Sequence, residues 1–168
     1  MKDHDMDAYK MIISKRDTRS YSDRPLSDES LHRILQAGRM AGSAKNAQPC
    51  RFVVVRSAEK KQELASCGQW TQHVPNAAVA IAVVVPNDGR EFDAGRAAQN
   101  MMLAAWAEGI ASCAVTTQDV DCTRRVLGLP EGYRVAIVLP FGYPPEEGVQ
   151  SLGAKRLPLE EIVHNETW

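Results

Sequence analysis

The run Ala78-Val79-Ala80-Ile81-Ala82-Val83-Val84-Val85 is apolar throughout and mostly β-branched. It is far shorter than the ~20 apolar residues that a membrane-spanning helix needs. A strand at the surface of a sheet alternates apolar and polar side chains. A run without alternation is buried on both faces, so helices must cover the sheet on each side. With 168 residues, the chain is expected to form one domain over residues 1–168 with a substantial core.

The covering helices are read from periodicity. Residues 6–14 suit a short amphipathic helix. Ser27 is a good N-cap, followed by Asp28 and Glu29, and Leu31, Ile34, Leu35, Gly38 and Ala41 then form one apolar stripe. Residues 58–67 suit a mostly polar surface helix. Residues 92–108 suit the longest one, apolar on almost every side from Ala97 to Ala107 except at Gln99 and Asn100. Asp119 caps a short helix carrying Val120, Val126 and Leu127, which Gly128 and Pro130 end. Strands are expected at 52–55, 110–116 and 133–139 as well as at the central run. By β-α-β order alone this is a parallel, doubly wound sheet. No Gly-x-Gly-x-x-Gly follows a strand, so no separate dinucleotide-binding domain is indicated.

Charge excludes several classes of function. Twenty Lys and Arg against twenty-one Asp and Glu are almost balanced, so nothing points to nucleic acid or an anionic membrane surface. Met1-Lys2-Asp3-His4-Asp5 lacks the apolar segment of a signal peptide. Cys50, Cys67, Cys113 and Cys122 form no Cys-x-x-Cys pair, and the four histidines are scattered, so no metal site is expected. The cysteines read as reduced thiols of a cytoplasmic protein, and His73 as solvated. Trp70 reads as core or rim packing.

Two polar segments stand out. Gly42-Ser43-Ala44-Lys45-Asn46-Ala47-Gln48-Pro49-Cys50 joins the second helix to the first strand. Pro49 drives Gln48 out of the helical region, so Ser43, Asn46 and Gln48 are offered from a non-helical backbone. An ordinary connection rich in turn formers and a ligand-binding loop both fit. Lys15-Arg16-Asp17-Thr18-Arg19-Ser20-Tyr21 holds three cations within five residues, with the Thr18 hydroxyl among them. It is either a solvated charged turn or an anion site, since guanidinium groups grip phosphate bidentately.

These segments resemble those of the nitroreductase family of FMN enzymes. Ser43-Ala44-x-Asn46-x-Gln48-Pro49 followed by a strand is similar to the family's flavin loop. The segment ending at Tyr21 resembles its phosphate-binding Arg-x-Ser-x-Arg/Lys-x-Phe/Tyr, with Lys15 and Arg19 at the basic positions. Residues 93–109 resemble its central helix, and Gly142-Tyr143-Pro144 and Lys155-Arg156-Leu157-Pro158-Leu159 its ending. The match is strongest over 12–165. Three departures matter: Asp17 replaces serine, Gly42 replaces a common proline, and Cys50 replaces tryptophan, which removes apolar wall and leaves a thiol there. Asp17 would repel phosphate, which leaves Arg16 and Arg19 as the strongest phosphate candidates.

The resemblance implies an α+β three-layer sandwich, with a central, mainly antiparallel sheet flanked by helices, in a domain-sharing homodimer. That overrides the parallel reading. It implies FMN at the dimer interface, held by Lys15, Arg16, Thr18, Arg19, Ser43, Asn46, Gln48, Thr116, Thr117, Lys155 and Arg156. The basic segment would come from one subunit and the Ser43–Gln48 loop from the other. Thr116 and Thr117 would face the ring through backbone amides, and Gln69 or Gln72 would reach it. No side chain need be a catalytic nucleophile or base, because the chemistry is the flavin's. The implied reaction is ping-pong: NADH or NADPH reduces the flavin at N5, which then reduces a small nitroaromatic, quinone or flavin acceptor. No lid segment is present, so an open site is expected. The alternatives are an FMN storage or sensor module without efficient turnover, and a flavin-cleaving or dehalogenating relative.

Overall fold

The computed structural model describes residues 7–146 and 155–168. The charged start of the chain and the first residue of the expected 6–14 helix lie outside the described residues. Helix α1 spans Ala8–Ser14, α2 Asp28–Arg39, α3 Ala58–Ala65, α4 Glu91–Ala107, α5 Val120–Leu127 and α6 Leu159–Ile162. The strands are β1 Arg51–Val55, β2 Val79–Pro86, β3 Ala111–Ser112 and β4 Tyr133–Gly142.

Caps set the helix bounds. Ser27 Oγ accepts the Ser30 amide at 3.1 Å to open α2, and Ser57 Oγ accepts that of Lys60 at 3.2 Å to open α3. Asp119 Oδ1 accepts the Cys122 amide at 2.8 Å, and Gly128, at φ 62°, turns the chain out of α5 in the left-handed conformation.

Among the described residues the strands form one sheet in the order β1-β2-β4-β3, with every neighbouring pair antiparallel. This overturns the parallel, doubly wound reading and agrees with the family's sheet. The physical reason is that element order fixes neither strand direction nor pairing; those depend on the end of the sheet to which each connection returns the chain. Central strand β2 is buried on both sides as its sequence demands. Val79, Ile81, Val83 and Val85 face a core built with Leu31 and Ile34 of α2 and Ala94, Ala98, Met101 and Ala105 of α4. Ala80, Ala82 and Val84 face a second core with Val55, Leu64 of α3 and Val138, against which Val126 and Leu127 of α5 pack. The result is three layers. Each fully buried aliphatic residue contributes roughly 1.5–3 kcal/mol relative to exposure.

The expected strand over 110–116 is shorter. Only Ala111 and Ser112 pair with β4 as β3, and Val115 rejoins it through amide bonds of 2.9 and 2.8 Å with Val138. Between them the Cys113 carbonyl faces the His73 ring at 3.3 Å instead of the sheet. Beyond β3, Asp17 bridges to Ser112, and the Thr18 amide donates to the Ser112 carbonyl at 3.1 Å. The basic segment is thereby tied to the end of the sheet.

Helix α4 is less thoroughly covered than its composition suggests. Asp93, Ala94, Ala97, Ala98, Met101, Met102 and Ala105 are buried, whereas Phe92, Gly95, Arg96, Gln99 and Asn100 are exposed. Helix α2 lies against it so closely that a Cβ on Gly38 would meet Met101 Sδ at 2.7 Å and Phe52 Cζ at 2.9 Å. Glycine is therefore required at that contact.

Candidate functional site

The basic segment divides its charges. Lys15 Nζ pairs with Asp17 Oδ1 and lies 3.7 Å from Met102 Sδ, with only 9% of the lysine side chain exposed. Arg16 folds back on the end of α1, donating to the Ile13 and Lys15 carbonyls at 2.7 and 3.0 Å. Arg19 makes no ion pair among the described residues. Arg19 lines two clefts. One, of about 670 Å³, also takes in Arg24, Arg56 and Lys61; the other, of about 440 Å³, is walled by Trp70, Gln72, His73 and Asn76. Thr18 is buried, and its Oγ1 and Ser112 Oγ have no hydrogen-bond partner among the described residues.

The groups behind Arg19 are held neutral. Burial pushes the Cys113 thiol up, with Asp17 adding to the effect, and it pushes the Tyr21 phenol far up. His73 is 6% exposed rather than solvated, and burial lowers its pKa. The reason is tertiary: the His73 loop folds inward onto β3, where the Cys113 carbonyl engages the ring.

The loop after α2 forms a separate surface. Lys45, Asn46 and Gln48 all have positive φ, near 50°, a costly conformation for residues with a side chain. Ser43 Oγ holds the loop by accepting the Gln48 amide at 2.9 Å. Asn46 and Gln48 are exposed and Ser43 is half-buried. Ser43, Gln48 and Cys50 line a cleft of about 490 Å³ with His32, Arg51 and Asp93. The Cys50 thiol is raised by burial and by Asp93, so it is not an activated nucleophile.

A third wall is made by two loops. Gln69 donates its amide to Gln118 Oε1 at 2.8 Å, and Gln118 Nε2 donates to Thr116 O and Thr116 Oγ1, both at 3.1 Å. Thr116 is exposed and Thr117 half-buried. Trp70 is 70% exposed at the cleft rim rather than packed in the core. Sequence reasoning missed Gln118, because a lone glutamine after a strand carries no periodic or spacing signal. It also misread two cysteines. Cys67 and Cys122 form a disulfide across 55 residues, with Cα atoms 5.5 Å apart, leaving Cys50 and Cys113 free. The α3 end and the start of α5 meet only through the fold, so chain spacing held no hint of the pairing.

Within one chain the expected residues do not converge on one point. Ser14 and Lys15 touch α4 at Trp106 and Met102, whereas Gly42 abuts Arg96. Six residues of helix, about 9 Å at 1.5 Å per residue, separate Arg96 from Met102. Lys155 and Arg156 are exposed on the segment leading to α6.

The residues fit a flavin mononucleotide in their chemistry. An unpaired guanidinium suits the phosphate. Unpartnered Thr18 and Ser112 hydroxyls and the exposed amides of Asn46 and Gln48 suit the polar chain and ring edge. Lys15 pairs with Asp17, which offsets the acid's charge and draws that cation away from a phosphate.

The model of the "Nitroreductase family" matches residues 12–87 and 72–143. A protein of Archaeoglobus fulgidus, provisionally named an NADH dehydrogenase/NAD(P)H nitroreductase, is 37% identical over 149 residues, covering 82% of this chain and 86% of its own. The FMN-dependent nitroreductase of Clostridium difficile superposes with a TM-score of 0.83 at 25% identity, over 94% of this chain and 98% of its own. The NADPH:FMN oxidoreductase of Vibrio harveyi, in a structure with NAD+, gives 0.85 at 26% identity, over 95% and 77%. The continuous match across the basic segment, the sheet and the α4 core shows that this chain belongs to the nitroreductase family.

Proposed function

We propose that the chain is an NAD(P)H-dependent flavin oxidoreductase that binds FMN and reduces a small oxidised acceptor. The observation that carries this reading is Arg19: a cation without a carboxylate partner among the described residues, lining two clefts and tied to the sheet through the neighbouring Thr18 amide and Ser112. A guanidinium in a cleft with no acid beside it is able to grip a phosphate bidentately.

When bound, FMN supplies the two-electron chemistry, taking hydride from NADH or NADPH and passing the electrons to the acceptor. The protein's own residues bind and orient. Arg19, joined by Lys155 and Arg156 from the tail, would hold the phosphate. Lys15 would neutralise Asp17 and so keep it from opposing the anion. Thr116, Thr117 and the Gln69–Gln72 stretch would form a wall along the ring. Ser43, Asn46 and Gln48 would address the ring edge. Buried His73, Cys113 and Tyr21 stay uncharged and lend the phosphate end no negative charge.

The separation along α4 supports a two-chain site, in which the Ser43–Gln48 loop of one copy meets the Arg19 segment of another. The exposed apolar residues Phe92 on α4 and Tyr9, Ile12 and Ile13 on α1 agree with such a partner. No helix among the described residues is long and apolar enough to cross a membrane.

The test is the visible spectrum of the purified protein after incubation with FMN and desalting. Retained flavin bands that bleach with NADH or NADPH, and recover with a quinone or nitroaromatic, are the expected result. Retained bands that neither nucleotide bleaches would indicate a storage or sensor module, and loss of flavin on desalting would remove the FMN reading. Appearance of flavin fragments in air after reduction would favour the flavin-cleaving alternative.

A further inference from the structure

The two loops of the third wall are joined by more than hydrogen bonds. Cys67 ends the turn after α3, directly before Gly68 and Gln69, and Cys122 lies in the first turn of α5, directly after Thr116–Asp119. Between these two positions the contacts are dense. The Asp119 amide donates to the Cys67 carbonyl at 3.0 Å, and the Gln69 amide to Gln118 Oε1 at 2.8 Å. Gly68 has no room for a side chain, since a Cβ there would lie 2.8 Å from Thr71 Cγ2 and 3.2 Å from the Thr116 carbonyl. Thr71 Oγ1 closes the loop onto the Ala65 and Gly68 carbonyls at 2.6 and 2.7 Å. The Cys67–Cys122 disulfide is the covalent base of this clasp.

We propose that Cys67 and Cys122 form a reversible redox site, whose disulfide form locks the two cleft-wall loops in register and whose dithiol form loosens them. This rests on the flavin reading for its consequence: FMN binds more weakly to the dithiol form. Cys122 is 9% exposed and Cys67 1%, so Cys122 is the less shielded of the pair. It sits in the first turn of an eight-residue helix, held there by the Asp119 cap. Fraying of that turn exposes it, since helix ends open at little cost. A small dithiol reductant attacks Cys122 Sγ, forming a mixed disulfide and releasing Cys67 as a thiolate that takes up a proton. The reductant's second thiol then displaces Cys122, which also takes up a proton, and the reductant leaves as its own disulfide. In the opposite direction, a hydroperoxide accepts the two electrons and is reduced to an alcohol and water. Buried Cys113 and Cys50, both with raised pKa values, are poor competitors in this exchange.

The site places the redox signal at the wall rather than at the phosphate end. Arg19 itself stands on the basic segment, while the smaller of its clefts is walled by Trp70, Gln72 and His73 of the clasped loop, so the dithiol form loosens that wall and leaves the Thr18–Ser112 tether in place.

The experiment compares wild-type protein treated with a hydroperoxide against the same protein reduced with dithiothreitol and desalted. Thiol titration in denaturant should find two thiols in the oxidised form, Cys50 and Cys113, and all four after reduction. Hydrogen–deuterium exchange should then rise in peptides covering 68–73 and 116–119 on reduction, with β2 unchanged. FMN affinity should fall by about three- to tenfold on reduction, as expected when a binding wall must be ordered by the ligand. Cys122→Ser should hold the reduced-form affinity whatever the treatment, and Cys67→Ser provides the same reading if that variant folds poorly. Four thiols after hydroperoxide treatment, or unchanged exchange in both loops, would overturn the proposal. Equal FMN affinity in the two forms, with exchange altered, would overturn its consequence for the flavin. FMN binding to neither form would instead sink the flavin reading, and loop exchange alone would then decide the redox clasp.

Discussion

Lys15 and Asp17 are an ion pair two residues apart, with the lysine buried against Met102 and the aspartate more than half exposed. The acid therefore takes one cation out of a segment that would otherwise offer three. Asp17→Ser should free Lys15 for the phosphate and tighten FMN binding by about three- to tenfold, the modest gain of a partly exposed charge. Titration by quenching of flavin fluorescence at two salt concentrations checks this, and the gain should shrink at the higher one. Unchanged affinity would mean that Lys15 cannot leave Met102.

Arg19 is the residue with the most to lose. Arg19→Ala should weaken FMN binding by about 10- to 100-fold, the worth of one charge-assisted contact of roughly 1.5–3 kcal/mol. Arg19→Lys should recover only part of it, because an ammonium cannot engage two oxygens in parallel. A protein with Arg19→Ala that still carries FMN through gel filtration would refute the assignment.

Gly38 is a packing requirement rather than a flexible joint. Gly38→Ala places a methyl against Met101 Sδ and the Phe52 ring at under 3 Å. The expected loss is about 1–3 kcal/mol from overpacking, partly offset because Met101 is a pliable neighbour. Urea denaturation of apo protein measures it, and a gain in stability would show that α2 shifts freely on α4.

His73 sets a pH dependence. Its folded-state pKa lies below its unfolded one because burial disfavours the cation. Below the usual histidine pKa of about 6.5, the unfolded chain therefore binds a proton that the folded one resists. Stability from this group is complete above that pH and is lost as the pH falls toward the folded value. Denaturation at pH 7.5 and 5.5 should show the drop, and His73→Gln should flatten that part of the profile. An unaltered slope in the variant would assign the drop to other groups.

Much of the fold was legible in local sequence. The unbroken apolar run gave a strand covered on both faces, and Ser27, Asp119 and Gly128 marked helix ends where they fall. The two polar segments at 15–21 and 42–50 stood out for the same reason. Each placed several donors on a backbone that could not continue a helix, and that is a property of neighbours in the chain.

What only the tertiary structure decided is non-local. Strand direction, the inward turn of His73 onto the Cys113 carbonyl, the Cys67–Cys122 bond and the role of Gln118 all join residues dozens apart. So does the placement of Arg19 and Gln48 in separate clefts. Periodicity reports which face of an element is apolar, whereas the choice of what covers that face belongs to the packed chain. The sequence determined which residues would be buried and which would be offered, and the packing of α4 against the sheet decided where the offered ones meet.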